Sequence, residues 1–218
     1  MPDKSDIKTE IEFLAALEQG EITSQMRLSQ RIAVSVGLVN ALLKRAVRKG
    51  FVKAQEVPAK RYAYYLTPKG FSEKSRLVTE YLETSLDFFR LARGQYEVIF
   101  ERLHQIKAAQ IAFAGSGELA EIALLAAREY GIEPKAIYDS KTNVKSFHGI
   151  PIVRDMSEIG DFDGAVLTES RHPQQVFDEL TVKFGRTLIF SPAFLRIHHC
   201  SAQQNTASKY PADGENIS

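Results

Sequence analysis

Apolar residues recur at helical spacing near the start of the chain. Between positions 36 and 49 the repeat i, i+3, i+4, i+7, i+8 predicts a helix with one face on a core, formed by Val39, Leu42, Leu43, Ala46 and Val47. Ser35 stands where a hydroxyl can cap this helix, and Gly50 stands where glycine favours its end. A shorter amphipathic helix over 27–32 precedes it, with Met26 and Ile32 among its apolar members. The pair is typical of a helix-turn-helix.

The opposite face of the second helix is small and polar, with Gly37, Asn40, Ala41 and Lys44. In a helix-turn-helix this face enters the major groove of DNA. Two strand-like segments follow, 51–57 and 61–66, and they predict a hairpin with a basic turn at 58–60. Such a hairpin after a helix-turn-helix is typical of a winged helix. The DNA-contacting residues are therefore predicted to be Ser35, Gly37, Asn40, Lys44, Lys60 and Arg61.

The elements on either side of this motif are also amphipathic. Asp6 is predicted to cap a first helix that runs to Glu18, and a long helix is predicted from Pro68 to about position 105. This long helix carries an apolar heptad repeat, which indicates packing either on its own domain or, as we favour, on a second subunit; its members are Leu82, Phe89, Tyr96 and Leu103, flanked by Leu86 and Phe100. Gly94 interrupts the repeat and is a candidate break in the helix.

Charge is distributed unevenly along a chain whose net charge is only +1. From Arg27 to Arg76 there are 12 basic and two acidic residues, an excess expected of a surface that binds phosphates. Residues 1–105 carry a net charge of +4 and residues 106–218 carry −3, which indicates two parts with different tasks. The single cysteine, Cys200, excludes an internal disulfide. Without a signal-peptide pattern or a long apolar run, we expect a soluble, cytoplasmic protein.

Strand and helix signals alternate after position 109. The strand signals lie at 110–114, 135–139, 149–153, 163–168 and 187–191. This alternation predicts a small, doubly wound parallel sheet, so the overall fold class is α/β. The predicted organisation is a winged helix over 1–71, a helical linker or dimerisation segment over 72–106, a Rossmann-like nucleotide-binding domain over 107–197 and a disordered tail over 198–218.

A glycine turn follows the first of these strands. Gly115 suits a tight turn, and Gly117 permits close approach of a phosphate at the start of a helix. Asp139 ends the next strand and can accept a hydrogen bond from ribose, whereas Glu118 would compete with a phosphate for the helix N-terminus. A polar segment after the fourth strand adds Thr168 and Arg171. The predicted ligand is NAD(H) or a nucleotide-sugar, bound by Gly115, Ser116, Gly117, Glu118, Asp139, Thr168 and Arg171; a fold kept for packing or dimerisation alone is the alternative.

Parts of the chain resemble known families. Residues 7 to about 105 resemble a MarR-type winged helix, in particular the exopolysaccharide-associated branch, through the segments 38–44, 48–53, 62–70 and 73–77. A winged helix followed by a Rossmann-like domain resembles the Rex redox repressors, which sense the NADH/NAD balance. Residues 110–192, with Tyr138-Asp139 and Gly149 to Val153, resemble the N-terminal domain of sugar O-acyltransferases, but the catalytic left-handed helix of those enzymes is absent from this sequence.

These features favour a homodimeric, ligand-responsive transcriptional regulator that binds double-stranded DNA. The resemblance implies polysaccharide genes as its targets. One alternative is a sugar-nucleotide or NAD-dependent enzyme that uses its winged helix for protein contacts, and another is a scaffold that binds no ligand. No nucleophile and base stand in a recognisable arrangement, so we expect that the protein is not an enzyme.

Overall fold

The structure is a computed structural model that describes residues 4–18, 24–57 and 61–198, with only the backbone described at positions 4, 5, 57 and 61. The chain forms two compact units, Met1–Leu91 and Ala92–Ser218. The predicted turn at 58–60 with Lys60, Cys200 and the tail beyond His198 lie outside the described residues. None of the described helices is both long enough and apolar enough to cross a membrane.

The first unit contains three helices and a hairpin in the order predicted for a winged helix. The helices are α1 (Lys4–Glu18), α2 (Gln25–Arg31) and α3 (Val36–Lys49), and the antiparallel strands are β1 (Val52–Val57) and β2 (Arg61–Leu66). The long helix α4 (Pro68–Gln105) follows. One apolar core joins these elements, and its most deeply buried members are Phe13, Leu14, Leu17, Leu28, Val39, Leu43 and Val52.

Three local predictions in this unit need correction. Asp6 lies inside the first turn of α1, since that helix begins at Lys4. Helix α2 begins at Gln25 because Ser24 caps it, and Met26 is 64% exposed rather than part of the core. Val47 is also exposed, at 42%, since it lies at the edge of the buried stripe of α3.

The heptad repeat of α4 divides into two parts. Tyr96, Phe100 and Leu103 are fully buried in the second unit, so this half of the repeat is intramolecular core and the prediction of an intersubunit contact there is wrong. Leu82 and Leu86 in the first unit are about half exposed, at 53% and 50%. The helix is continuous through Gly94, which therefore does not break it.

The second unit is built on a six-stranded sheet flanked by α5 (Glu118–Glu129) and α6 (Pro173–Phe184). The strands are β3 (Ile111–Ala114), β4 (Ala136–Tyr138), β5 (Ser146–Phe147), β6 (Ile150–Val153), β7 (Gly164–Leu167) and β8 (Ile189–Phe190). Their order across the sheet is β5-β6-β4-β3-β7-β8, and every neighbouring pair is parallel except β5 and β6. The unit is therefore α/β with a mixed sheet.

The antiparallel edge strand β5 is a departure from the predicted all-parallel sheet. It forms a hairpin with β6 through a two-residue turn of His148 and Gly149, both with positive φ (50° and 86°). Positive φ at both central positions is typical of the tight turns that suit the twist of a hairpin. Histidine is an unusual first residue for such a turn, and this is why the sequence pattern did not indicate it.

Strand β3 lies at the centre of the sheet, between β4 and β7. The chain passes from β3 through α5 to β4 on one side, and later reaches β7 on the other side. The order of the strands therefore reverses at β3. In open α/β sheets the carboxyl ends of the strands leave a crevice at such a reversal, and ligands bind there.

Candidate DNA-binding surface and ligand cavity

Helix α3 presents its predicted reading face to solvent. The hydroxyl of Ser35 accepts a hydrogen bond from the backbone N–H of Leu38 (3.2 Å), so Ser35 caps the helix as predicted. Gly37 and Lys44 are exposed, and Asn40 is partly exposed, on the side opposite the buried stripe. Only the backbone of Arg61 is described, at the start of β2, so its predicted role and that of Lys60 stay predictions.

The segment after β2 fixes the end of α3. The Thr67 hydroxyl donates to the backbone carbonyls of Gly50 (2.7 Å) and Phe51 (3.1 Å), and Lys69 Nζ donates to the carbonyl of Lys49 (3.0 Å). A Cβ on Gly70 would lie 2.1 Å from the Phe51 carbonyl oxygen. The T-P-K-G sequence thus satisfies carbonyls that the end of a helix leaves without partners, and only glycine allows the close contact.

The first unit also carries many cations. Lys74 and Arg76 pair with acids on α1 and α4, so they contribute little to a phosphate-binding surface. Further cations are exposed on α2, α3, β1 and the start of α4: Arg27, Arg31, Lys44, Arg45, Arg48, Lys49, Lys53 and Lys69. Tyr62 and Tyr65 of β2 are also exposed. The sequence predicted their strand but not that their aromatic rings are accessible.

In the second unit, the glycine turn packs against the segment that follows β7. Gly115 has a φ of +114°, and a Cβ there would lie 2.5 Å from the backbone nitrogen of Glu169. The fully buried hydroxyl of Thr168 donates to the carbonyl of Gly115 (2.6 Å). Both residues therefore hold two segments together, and Thr168 lies behind the cavity described below rather than on its wall.

Gly117 occupies a different environment. It is the N-cap of α5, has no side chain to cap that helix, and would have open space around an added Cβ. Glycine is thus not required there by internal packing. The first turn of α5 faces a cavity of about 350 Å³ at the carboxyl edge of the sheet, lined by Ser116, Gly117, Glu118, Asp139, Lys141, Thr142, Glu169, Ser170, Arg171 and His172.

Asp139 organises one wall of this cavity. One carboxylate oxygen accepts from the hydroxyl and the backbone N–H of Ser116, and the other accepts from the N–H groups of Lys141 (3.0 Å) and Thr142 (3.2 Å). Burial acts to raise the pKa of Asp139, but these hydrogen bonds outweigh it and lower that pKa below its ordinary value. A carboxylate has about four acceptor positions. A ribose hydroxyl would therefore have to displace a donor of the protein itself.

The remaining charges of the cavity are mixed. Glu169 accepts from the backbone N–H groups of Arg171 (2.6 Å) and His172 (3.1 Å), and Glu118 is exposed at the start of α5. The side chains of Lys141 and Arg171 make no ion pair with another described residue. The cavity thus offers two cations, three carboxylates and several N–H and hydroxyl groups, a lining suited to a polar ligand with both donors and acceptors.

The structure brings together five of the seven predicted ligand-binding residues around this cavity: Ser116, Gly117, Glu118, Asp139 and Arg171. Gly115 and Thr168 support them from behind. Sequence reasoning missed Lys141 and Thr142. Their position directly after the second strand of the sheet was the available signal, since the carboxyl ends of parallel strands meet at one edge.

No protein-family model and no curated protein matches this chain. Among solved structures, it is similar to MepR, a transcription regulator of the Staphylococcus aureus multidrug efflux pump MepA (17% identity, TM-score 0.32, 37% of this chain and 61% of that one). It is also similar to human N-acetylserotonin methyltransferase in complex with SAM (12% identity, TM-score 0.31, 75% and 65%) and to PigF with SAH (11% identity, TM-score 0.24, 87% and 55%). The chain spans less than two thirds of each of these proteins.

These matches correct one expectation. They include several O-methyltransferases, among them a putative one from Nostoc punctiforme and NcsB1 in complex with SAM, and they run against the expectation that the chain is not an enzyme, which is withdrawn. At identities of 10–17% and TM-scores of 0.23–0.32, the matches identify no substrate, cofactor or activity for this chain.

Proposed function

We propose that the first unit binds duplex DNA as a MarR-like winged helix. The reading face of α3 carries this proposal, because it is small and polar, exposed or partly exposed, and belongs to a unit with exposed cations on α2, α3 and β1. Ser35 and the T-P-K-G segment hold the two ends of the helix, so the face is presented on a fixed element. The resemblance to exopolysaccharide-associated MarR regulators makes polysaccharide genes the first targets to test.

We propose further that the second unit is a Rossmann-like domain that binds a nucleotide-type ligand, NAD(H) or a nucleotide-sugar, and that this ligand changes the affinity for DNA. Counting only the parallel strands in chain order, the sheet has the order 3-2-1-4-5, which is that of a doubly wound mononucleotide-binding fold. The cavity lies at the crevice where ligands bind in such sheets. The proposal also allows the second unit to convert its bound ligand chemically. Mass spectrometry of the ligand after incubation with the protein measures such a conversion.

The exposed half of the α4 repeat supports a homodimer. Phe71, Val78, Leu82 and Leu86 are 36–53% exposed and lie on one face of the helix within the first unit. Large apolar side chains exposed on one face of a helix favour an interaction surface. A second copy suits the patch because a helix-turn-helix gains specificity when a dimer reads two half-sites.

The DNA-binding proposal predicts distinct effects for two residues of the reading face. Replacing Asn40 by alanine should cost about 1–3 kcal/mol of binding at one base position if its amide reads a base edge. Lys44→Ala should instead weaken binding to all sequences and reduce the salt slope by about 1 if Lys44 contacts a phosphate. Binding is measured with duplexes selected from a random pool, at two salt concentrations. Lys8→Ala, at an exposed residue of α1, is the control. Wild-type affinity in both variants would remove α3 from the interface.

The ligand proposal predicts the effect of a branched side chain at Gly117. Because the space beside Gly117 is open, Gly117→Val should fold but fill part of the cavity and abolish ligand binding. In the wild type, a bound nucleotide should change the affinity for DNA about 5- to 150-fold, and in the variant it should change nothing. NADH, NAD and UDP-glucose are titrated by calorimetry and then added to the DNA-binding assay. A wild type that binds one of them with no change in DNA affinity contradicts the sensing role.

The dimer proposal predicts that Leu82→Glu produces folded monomers. Leu82 is 53% exposed in the single chain, so a carboxylate there costs little in a monomer but is buried without a partner in a dimer. Sedimentation measures the mass, and thermal unfolding monitors the first unit. Val98→Glu, at a 66% exposed position on the same helix, is the matched control and should leave the mass unchanged. A monomeric wild type, or a dimeric Leu82→Glu protein, argues against this surface.

A further inference from the structure

The ligand cavity of the second unit has a lining without apolar side chains. Its ten described residues are glycine, serine, threonine, charged residues and one histidine. An adjoining crevice is lined in part by Tyr138 and Val176, but it encloses only about 10 Å³, close to the space that one water needs. Nucleobases and the nicotinamide ring are planar and bind on aromatic or apolar surfaces. The described lining thus offers no surface suited to such a ring.

Two cations stand on separate segments of the cavity wall. Lys141 follows β4 and Arg171 follows β7. Each lies two residues after a carboxylate that accepts its backbone N–H, since Asp139 accepts from Lys141 (3.0 Å) and Glu169 accepts from Arg171 (2.6 Å). Both side chains are exposed, without an ion-pair partner among the described residues. Both segments therefore have a fixed backbone, while their positive charges are available to an anion.

The first turn of α5 is an unfavourable position for that anion. Glu118 and Glu121 lie in this turn, where carboxylates already compensate the positive end of the helix dipole. Glu118 is exposed on the cavity wall and makes no ion pair with another described residue. A phosphate at Gly117 would therefore face the negative charge of the neighbouring residue. The charges of the lining favour a phosphate at Lys141 and Arg171 instead.

Carboxylate oxygens elsewhere on the wall are available to hydroxyl groups. In Glu169, Oε1 accepts from the backbone N–H groups of Arg171 and His172, and Oε2 has no hydrogen-bond donor among the described residues. The carboxylate of Glu118 has no such donor either. Asp139, by contrast, already accepts from four donors. Ionised carboxylates are strong acceptors for O–H donors. This distribution suits several adjacent hydroxyls, as on a pyranose ring, better than a ribose bound at Asp139.

We propose that the cavity binds a phosphorylated pyranose sugar, with Lys141 and Arg171 contacting the phosphate and with Glu118 and the free oxygen of Glu169 accepting from the sugar hydroxyls. This inference rests on the proposed function and narrows its ligand, because a nucleobase attached to the phosphate stays outside the cavity. The volume of about 350 Å³ lies near the lower end of the range for ligand sites, roughly 300–1,000 Å³, and suits a sugar phosphate better than a dinucleotide. A sugar 1-phosphate and a nucleotide-sugar share this chemistry.

The first experiment distinguishes these sources by calorimetry on the full chain. The probes are the 1-phosphates of glucose, galactose and N-acetylglucosamine, the UDP derivatives of the same sugars, UDP and NADH. At least one sugar 1-phosphate should bind within about tenfold of its UDP derivative, and UDP and NADH should bind at least about tenfold more weakly than both.

The outcomes separate this proposal from the proposed nucleotide ligand. UDP that binds as tightly as the UDP-sugars, or NADH that binds more tightly than every sugar phosphate, overturns the sugar-phosphate site and leaves a nucleotide-type ligand standing. Binding of a sugar 1-phosphate without binding of its UDP derivative supports the site and contradicts the nucleotide ligand. Binding of none of the probes overturns both.

The second experiment locates the phosphate and the hydroxyls with the sugar 1-phosphate that binds most tightly. Lys141→Gln and Arg171→Gln should each weaken its binding about tenfold, because each removes a charge-assisted contact. Lys145→Gln, at an exposed residue outside the lining but in the same connection between strands, is the matched control and should change binding less than about twofold. Glu118→Gln should weaken binding about fivefold through loss of a charged acceptor. Tighter binding by Glu118→Gln, as a phosphate at α5 requires, or unchanged binding by both cation variants, overturns the assignment.

Discussion

Replacing Gly70 by alanine should destabilise the first unit by roughly 3 kcal/mol and abolish the proposed binding to DNA. The added Cβ would lie 2.1 Å from the carbonyl oxygen of Phe51 and 2.7 Å from Leu66 Cδ1, and a backbone atom cannot move aside as a flexible side chain can. Relief requires separation of α4 from the end of α3, which breaks the hydrogen bonds of Thr67 and Lys69. Thermal unfolding should show a midpoint lowered by on the order of 10–20 °C.

The same helix provides the control for this variant. Gly94 is in the middle of α4 and has no heavy atom within 4 Å of an added Cβ. Gly94→Ala should therefore stabilise the helix by about 1 kcal/mol, because alanine has the higher helix propensity. Equal stability of the Gly70→Ala protein and the wild type would show that the contact between α4 and Phe51 does not exist in solution.

Gly115→Ala should lower the free energy of unfolding of the second unit by about 3–5 kcal/mol, for two independent reasons. Its φ of +114° is a conformation that L residues rarely adopt, and a Cβ would lie 2.5 Å from the nitrogen and 2.6 Å from the Cα of Glu169. The wall of the cavity after β7 would be displaced, so ligand binding is lost together with stability. Urea unfolding followed by circular dichroism measures the first effect, and calorimetry with NADH or UDP-glucose measures the second.

Gly117→Ala is the matched control, two residues along the same turn. Its φ is −89°, and the space beside it is open, so alanine should change the free energy of unfolding by less than about 1 kcal/mol. If both variants unfold alike, the turn tolerates a side chain at either position and the packing of Gly115 against Glu169 is not essential. The pair thus separates a glycine needed for the fold from one available for a ligand.

The sequence by itself determined the local elements. The repeat of apolar residues placed α3, and the chemistry of Ser35 and Gly50 placed its ends, because capping and left-handed conformations depend on the residue at the position itself. The alternation of strands and helices predicted an α/β unit, and the glycine turn after β3 located the cavity. These properties depend on neighbours within a few positions, so they can be read directly from the chain.

Only the tertiary structure decided which of these residues are engaged in contacts within the protein and which are exposed. The heptad repeat of α4 looked uniform, yet Tyr96 and Leu103 are buried in the core while Leu82 is exposed, because the sheet that covers them is formed by residues far along the chain. The sequence predicted that Asp139 accepts a hydrogen bond from a ribose hydroxyl. In the structure its carboxylate already accepts hydrogen bonds from four donors of its own unit.

The glycines make the same distinction. A Cβ on Gly70 or Gly115 would collide with backbone atoms of Phe51 or Glu169, which lie 19 and 54 positions away along the chain. A Cβ on Gly117 would have no heavy atom within 4 Å. All three look alike in the sequence, which cannot distinguish a glycine in close internal contact from one beside open space. That difference is decided by packing between distant segments, and packing is fixed only when the whole chain has folded.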